Sequence, residues 1–308
     1  MKKIIIEISA LLIFIIAVFM LLEFLFRDYK NGVDRVMDDF FKSRDQAEVL
    51  MVGNSHALPF YNALKHEEGS GVAFLTIGGD DLFWMQALVR KQLHSMPAVR
   101  YVILNCDDEL LGFNQSLSGL SFMNRMLYQY TDEMYANKEM DILLSKSNFF
   151  RSNRDIGYLF SKQSNANIVM ANAGGKGTFT DEECKVRAKE ISEKRFQTKL
   201  FSENLTYVVS IINEVKRCNK ILFVLKLPKC DCLSAAVNQE NLADSRRLLD
   251  SVFMATKTEM LDFSGDHTFT RDAFANPDHL TPQVAKKLMV KMNDRIFDSV
   301  GDRPIHLQ

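Results

Sequence analysis

A serine and a histidine stand far apart in this chain, each in a setting that suits nucleophilic hydrolysis. Gly53-Asn54-Ser55-His56 follows the apolar run Val49-Leu50-Met51-Val52, and Asn276-Pro277-Asp278-His279-Leu280 lies near the other end. A serine hydroxyl is a weak nucleophile until a base takes its proton, and a distant histidine brought close by folding supplies that base. Ser55 sits just past a buried strand, on the edge where helix N-termini and loop amides gather as donors for an oxyanion. A serine in that position also serves as an ordinary helix cap, and position alone leaves both roles open.

Gly78-Gly79-Asp80 closes a second apolar run, and Asn105-Cys106-Asp107-Asp108 closes a third. The Gly78 or Gly79 amide and the Asn105 side-chain amide are candidate oxyanion donors. The plainer reading gives the glycines a tight turn and makes Asp80 or Asp81 a helix cap. His279 precedes Thr281 and Pro282, the N-cap and first residue of a final helix, so its ring is expected over the same edge.

Two residues compete to orient that ring. Asn276 accepts an imidazole N–H but has no charge to stabilise an imidazolium, and the equivalent change in a serine protease costs about four orders of magnitude in turnover. Asp278 carries the charge, but as the immediate neighbour of His279 in an extended segment it is expected to point elsewhere. A Ser55–His279 dyad oriented by Asn276 is the simplest active arrangement. Neither His267 with Asp266 nor His56 beside Ser55 has a third donor at ligand spacing, so no metal and no cofactor is expected. His56 is expected to border the pocket or cap a backbone group, and His66, His94 and His306 to lie on the surface.

The elements that position these residues are legible from hydrophobic periodicity. Glu48–Val52, Val72–Ile77, Arg100–Leu104, Lys220–Leu227 and Glu259–Phe263 are continuous apolar runs, the pattern of parallel strands buried on both faces. Helical periods separate them: Leu82, Met85, Leu88, Val89 and Leu93; then Leu205, Val208, Val209, Ile212 and Val215; then Leu242, Leu248, Leu249, Val252 and Phe253. Thr180-x-x-Glu183 is a capping box ahead of Cys184, Ala188 and Ile191. Alternating strands and helices predict a three-layer α/β/α sandwich with a five-stranded parallel sheet. The interval at about 110–180 breaks the alternation and is expected as an insertion over the sheet's carboxyl edge, where open α/β folds bind ligands. Its Gly174-Gly175-Lys176-Gly177 lacks a preceding strand and a following Ser or Thr, so it reads as a hinge, not a phosphate loop.

From Ile4 to Phe26 the chain is apolar apart from Glu7, Ser9 and Glu23. A helix of that length spans roughly 35 Å, enough for a bilayer core. The bulky Leu22–Phe26 sequence offers no small-x-small cleavage site, so an uncleaved anchor is expected over 4–26, a stalk or first helix over 27–47 and the α/β domain over 48–300. Lys2 and Lys3 favour a cytoplasmic N-terminus against Arg27, Lys30 and Arg35 on the far flank, which gives a single-pass inner-membrane protein with a periplasmic domain. The 308 residues carry 38 Lys and Arg against 39 Asp and Glu, a balance that predicts no nucleic-acid partner. Cys106, Cys184, Cys218, Cys230 and Cys232 are odd in number, which argues against a disulfide framework, and Cys230-x-Cys232 is too little for zinc. All five are expected as core or incidental thiols, a usage that leans towards a reducing compartment.

Taken in order, these blocks resemble the SGNH/GDSL hydrolase superfamily over about residues 45–298. Its first block, Gly-Asp-Ser, matches Gly53-Asn54-Ser55; its second-block glycine matches Gly78 or Gly79; its third-block asparagine matches Asn105 loosely; and its Asp-x-x-His block falls on Asn276-Pro277-Asp278-His279. The anchor and the Asn-Pro-Asp-His-Leu ending are similar to the envelope branch that includes DltD-like and alginate O-acetylation proteins. The resemblance implies a flavodoxin-like fold and a membrane-anchored serine esterase or O-acyltransferase acting on acetyl groups of an envelope polysaccharide, with a membrane acyltransferase as a further partner. Asn276 and the loose third block motivate the alternative, a catalytically weak or inactive scaffold that binds a glycan or an acyltransferase. Nucleotide binding has no glycine fingerprint after the first strand to support it.

Overall fold

Five apolar runs fold into five parallel strands, of which the central ones bury both faces. A computed structural model describes residues 2–67, 69–114, 122–133, 142, 144–152, 179–237 and 239–306. In chain order the elements are α1 (Lys2–Leu25), α2 (Gly32–Ser43), β1 (Val49–Gly53), α3 (Leu58–Leu64), β2 (Val72–Thr76), α4 (Leu82–Gln92), β3 (Tyr101–Asn105), α5 (Phe122–Thr131), α6 (Asn148–Arg151), α7 (Asp181–Lys189), α8 (Phe201–Arg217), β4 (Ile221–Lys226), α9 (Asp231–Ala236), α10 (Gln239–Thr256), β5 (Glu259–Asp262), β6 (Phe274–Asn276), β7 (His279–Leu280) and α11 (Pro282–Val300).

The sheet order is β2-β1-β3-β4-β5 with every neighbouring pair parallel. Every residue of β1, β2 and β3 is buried, whereas edge strand β5 buries only Leu261. Helix α3 packs on α11, while α4, α8 and α10 pack in series, with α8 against β4. This is the flavodoxin-like α/β/α sandwich expected from the pattern. Val49 pairs with Val72 on one side and Tyr101 on the other, so β1, β2 and β3 end level. The strand order reverses between β1 and β3, and the crevice beyond their carboxyl ends is where such sheets take ligands. Gly53 closes β1 at a point with no room for a side chain: an added Cβ would lie 2.7 Å from that of Ala57 and 2.9 Å from that of Asn105.

Helix α2 buries Val33, Val36, Met37 and Phe40 in the main core against β2, so residues 32–43 cover the sheet and are no detached stalk. Asn31 and Asp34 form a reciprocal capping box at its start. Helix α1 is long and apolar enough to cross a membrane, and none of its residues is buried. Its Glu23 carboxylate accepts from Ser147 Oγ, from Asn148 N at 2.9 Å and from Phe149 N at 3.3 Å, which caps α6. Phe149 and Phe150 pack on the C-terminal end of α1, with ring centroids 5.4 Å from Phe26 and 6.2 Å from Phe19. Gly174–Gly177 lie outside the described residues.

The expectation of five unpaired thiols is corrected. Cys184 on α7 and Cys232 on α9 form a disulfide across 48 residues of chain, and Cys106, Cys218 and Cys230 are free. Odd cysteine number excludes complete pairing but not a single bridge. The bond pins α7, which follows the insertion, to the body of the fold. Arg187, one turn beyond Cys184, reaches the candidate site. Cys184→Ala is therefore expected to lower stability by about 2–4 kcal/mol. Thermal melting of variant and oxidised parent measures this, and identical melting temperatures would contradict it.

Candidate active site

The β1–α3 turn places Ser55 at the switch point. Asn54 Oδ1 accepts the His56 amide at 2.9 Å, which fixes the turn, and α3 starts at Leu58 after Ala57 with Pro59 in its first turn. Ser55 does not cap this helix, and its hydroxyl has no hydrogen-bond partner among the described residues. It opens onto a cavity of about 60 Å³ whose walls include Asn54, His56, Gly79, Asp80, Glu109, Arg187 and Asp278. Leu110, Phe113, Ile191 and Phe196 form its apolar side.

His279 comes to this edge on a two-stranded antiparallel ribbon of β6 and β7, an element the sequence pattern did not reveal. Pro277 and Asp278 make the turn between the two strands, and Asn276 pairs with His279 across it. His279 Nδ1 lies 2.8 Å from Asn276 Oδ1 and 2.9 Å from Asp278 Oδ1. The expectation that Asp278 points elsewhere is thus corrected: Asp278 sits in the turn between β6 and β7 and not in an extended strand, and both acceptors face one ring nitrogen. The Asp278 amide also donates to Asn276 Oδ1 at 3.2 Å, which locks the two together. Burial holds the His279 pKa below the ordinary histidine value, with Asp278 opposing that shift and His56 and Arg187 adding to it. No hydrogen bond joins Ser55 Oγ to His279 among the described residues.

Gly79 lines the cavity and Gly78 does not. Gly79 adopts φ +81°, a left-handed conformation that glycine takes without strain, so the tight-turn role holds for this residue. The backbone amides of Ser55 and Gly79 make no hydrogen bond among the described residues. Asn105 is elsewhere: its Nδ2 donates to Asp107 Oδ2 at 3.1 Å and to the Leu225 carbonyl at 3.3 Å. With that amide group committed away from the cavity, Asn105 is not an oxyanion donor in this geometry. Asn54, which does line the cavity, uses its Oδ1 internally, and its Nδ2 has no partner among the described residues.

His56 proves central. It is buried with Nδ1 2.7 Å from Asp107 Oδ2 and Nε2 3.5 Å from Asp278 Oδ2, and its ring stands edge-on to His279 at 5.0 Å between centroids. Burial favours neutrality, but the bonds to Asp107 and Asp278 overcome it and push the His56 pKa up to about 9. Asp107 is desolvated too, yet His56 brings its carboxyl down to about 2. Asp278 Oδ2 also accepts from Arg187 Nε at 2.8 Å and Nη2 at 2.5 Å. Burial opposes its ionisation, but His279, His56 and Arg187 hold it well below the usual carboxylate range. The edge thus carries an imidazolium, His56, beside a neutral imidazole, His279, with Asp278 between them. Position 56 and the acidic run after β3 were the available signals for this; nothing in the sequence pointed to Arg187.

This network has a pH signature. His56 is raised in the fold from an ordinary 6.5, so its contribution is complete below about 6.5 and is lost as pH rises through about 9. The shift is worth roughly 3 kcal/mol, and Asp107 reports the same interaction from its other end. Buried neutral His279 acts in the opposite sense, lowering stability as pH falls below the ordinary histidine range. The melting temperature is expected to peak near neutrality and fall towards pH 9. His56→Gln should flatten that alkaline fall, and a slope unchanged in the variant would sink the assignment.

No family model and no curated protein matches the chain. Solved structures do: a Bacteroides fragilis NCTC 9343 protein assigned as an acylhydrolase is 9% identical, with a TM-score of 0.44, over 87% of this chain and 96% of its own. A GDSL-like lipase from Bacteroides thetaiotaomicron VPI-5482 is 7% identical, also with a TM-score of 0.44, over 87% of this chain and 98% of its own.

Proposed function

We propose that this protein is a membrane-anchored serine esterase or O-acyltransferase of SGNH type, acting on acetyl groups of an envelope glycan. The observation that carries this reading is an unpartnered Ser55 hydroxyl sharing one cavity with Asp278, whose carboxylate holds the neutral His279 ring. Ser55 Oγ attacks the acyl carbonyl while His279, through the nitrogen not facing Asp278, takes the proton. Asp278 stabilises the imidazolium so formed, and Asn276 supplies a second, uncharged acceptor. The amides of Ser55 and Gly79, with the Asn54 side-chain amide, hold the oxyanion. The alcohol leaves with the proton from His279. Water then releases acetate, or a sugar hydroxyl takes the acyl group, with His279 again as base.

The cavity of about 60 Å³ has room for an acetyl group beside Ser55. Helix α1 supports attachment to the inner membrane with the α/β domain on the periplasmic side, where a disulfide is at home. The missing hydrogen bond between Ser55 and His279 favours a second reading, an inactive scaffold that binds a glycan or an acyltransferase. Reaction of the detergent-solubilised protein with a fluorophosphonate probe separates the two. A covalent adduct mapped to Ser55 by mass spectrometry supports the enzyme, and an unmodified Ser55 together with no release of acetate from acetyl esters supports the scaffold.

A further inference from the structure

Asp80 is wholly buried, lines the Ser55 cavity and has no side-chain partner for either carboxyl oxygen among the described residues; the Asp81 amide alone lies near. Its neighbour accounts for the helix cap: Asp81 Oδ1 accepts the Trp84 amide at 3.3 Å at the start of α4. Arg187, the cavity's guanidinium, is committed to Asp278 and Glu190. Buried polar groups in folded proteins are nearly always paired, so a carboxyl without a side-chain partner beside a cavity points to a ligand that completes it.

We propose that Asp80 binds the hydroxylated alcohol side of the ester, pairing with a sugar hydroxyl close to the acetylated oxygen. The assignment rests on the esterase reading of the same cavity. A hydroxyl both donates and accepts, and so does a carboxylic acid. Burial and the adjacent Asp81 hold the Asp80 carboxyl well above its ordinary range, which keeps it in that neutral form and suits a hydroxyl better than a cation. With Asn54 and the Ser55 and Gly79 amides on the carbonyl oxygen, and Glu109 held by Lys229 through Oε2 and beside His56 through Oε1, Asp80 is the wall carboxyl with neither oxygen bonded to a side chain.

The test compares mono-O-acetylglucose with its O-methylated counterpart, in which every other hydroxyl is blocked, using the full-length protein in detergent. The wild type is expected to prefer the free sugar in kcat/KM by about 10- to 100-fold, and Asp80→Leu to erase that preference. Asp80→Asn, which keeps a donor and an acceptor, should retain most of it. A wild type indifferent to methylation overturns the assignment without recourse to any variant. So does an Asp80→Leu protein that keeps the full preference. Fluorophosphonate labelling of Ser55 tells the two failures apart: a labelled serine without hydroxyl preference overturns only the role of Asp80, whereas an unlabelled wild-type serine overturns the esterase reading and this assignment with it.

Discussion

Ser55→Ala is expected to reduce hydrolysis of acetyl esters by about 10⁴-fold or more, and His279→Ala by a similar factor. The two losses should not add in the double variant, because nucleophile and base act in one step and neither functions alone. Structural disturbance cannot account for such a fall at position 55, where the side-chain hydroxyl bonds to nothing among the described residues and alanine fits the turn. At His279 the ring is buried against Asn276 and Asp278, so the melting temperature must accompany the kinetics. Steady-state rates on 4-nitrophenyl acetate decide the matter. A Ser55→Ala protein within a few-fold of the parent would exclude the serine mechanism. The rate should also fall as pH drops through the lowered pKa of His279, because only the neutral ring accepts the serine proton.

Asp278→Asn is expected to lower kcat by about 10³- to 10⁴-fold, while Asn276→Ala lowers it by only about tenfold. Both residues touch His279 Nδ1 at nearly equal distance, so geometry does not rank them; charge does. An imidazolium forms in the transition state, and only a carboxylate gains attraction as it does. The same substitution removes one of two counter-charges from buried His56, which keeps Asp107, and from Arg187, which keeps Glu190, and removing one partner of a buried charge cluster costs up to about 3–5 kcal/mol of stability. Rates are therefore taken well below the variant's melting temperature. An Asn276→Ala loss equal to that of Asp278→Asn would show that the neutral acceptor orients the ring and that Asp278 is structural.

These two residues also mark where reading the chain stopped. In an extended strand, successive side chains point to opposite faces, and by that rule Asp278 was expected to turn away from His279. Asp278 is in no strand: Pro277 and Asp278 form the turn between β6 and β7, so the alternation rule does not reach it, and Asn276-Pro277-Asp278 carries the turn signal that the extended reading passed over. Asn105 failed for a related reason. A side-chain amide at a strand end has several acceptors within reach, and here Asp107 and the Leu225 carbonyl took it. The cysteines show the limit of counting, since parity says nothing about whether Cys184 and Cys232 come within bonding distance.

By itself, the sequence determined the strands, most helices and the edge of the sheet on which Ser55 and His279 would appear. Burial on both faces demands continuous apolar runs, helix packing demands a 3.6-residue period, and both are local properties of the chain. The apolar N-terminal helix was equally legible, since its length and composition are local properties too. Only the tertiary structure decided which charges share the site. His56 becomes an imidazolium because Asp107 and Asp278, brought in from two other strand ends, meet it in a desolvated pocket. Arg187 arrives from beyond the insertion on a helix held by a disulfide. Such pairings are set by distances between remote segments, and electrostatic effects in low dielectric depend on those distances more than on residue type.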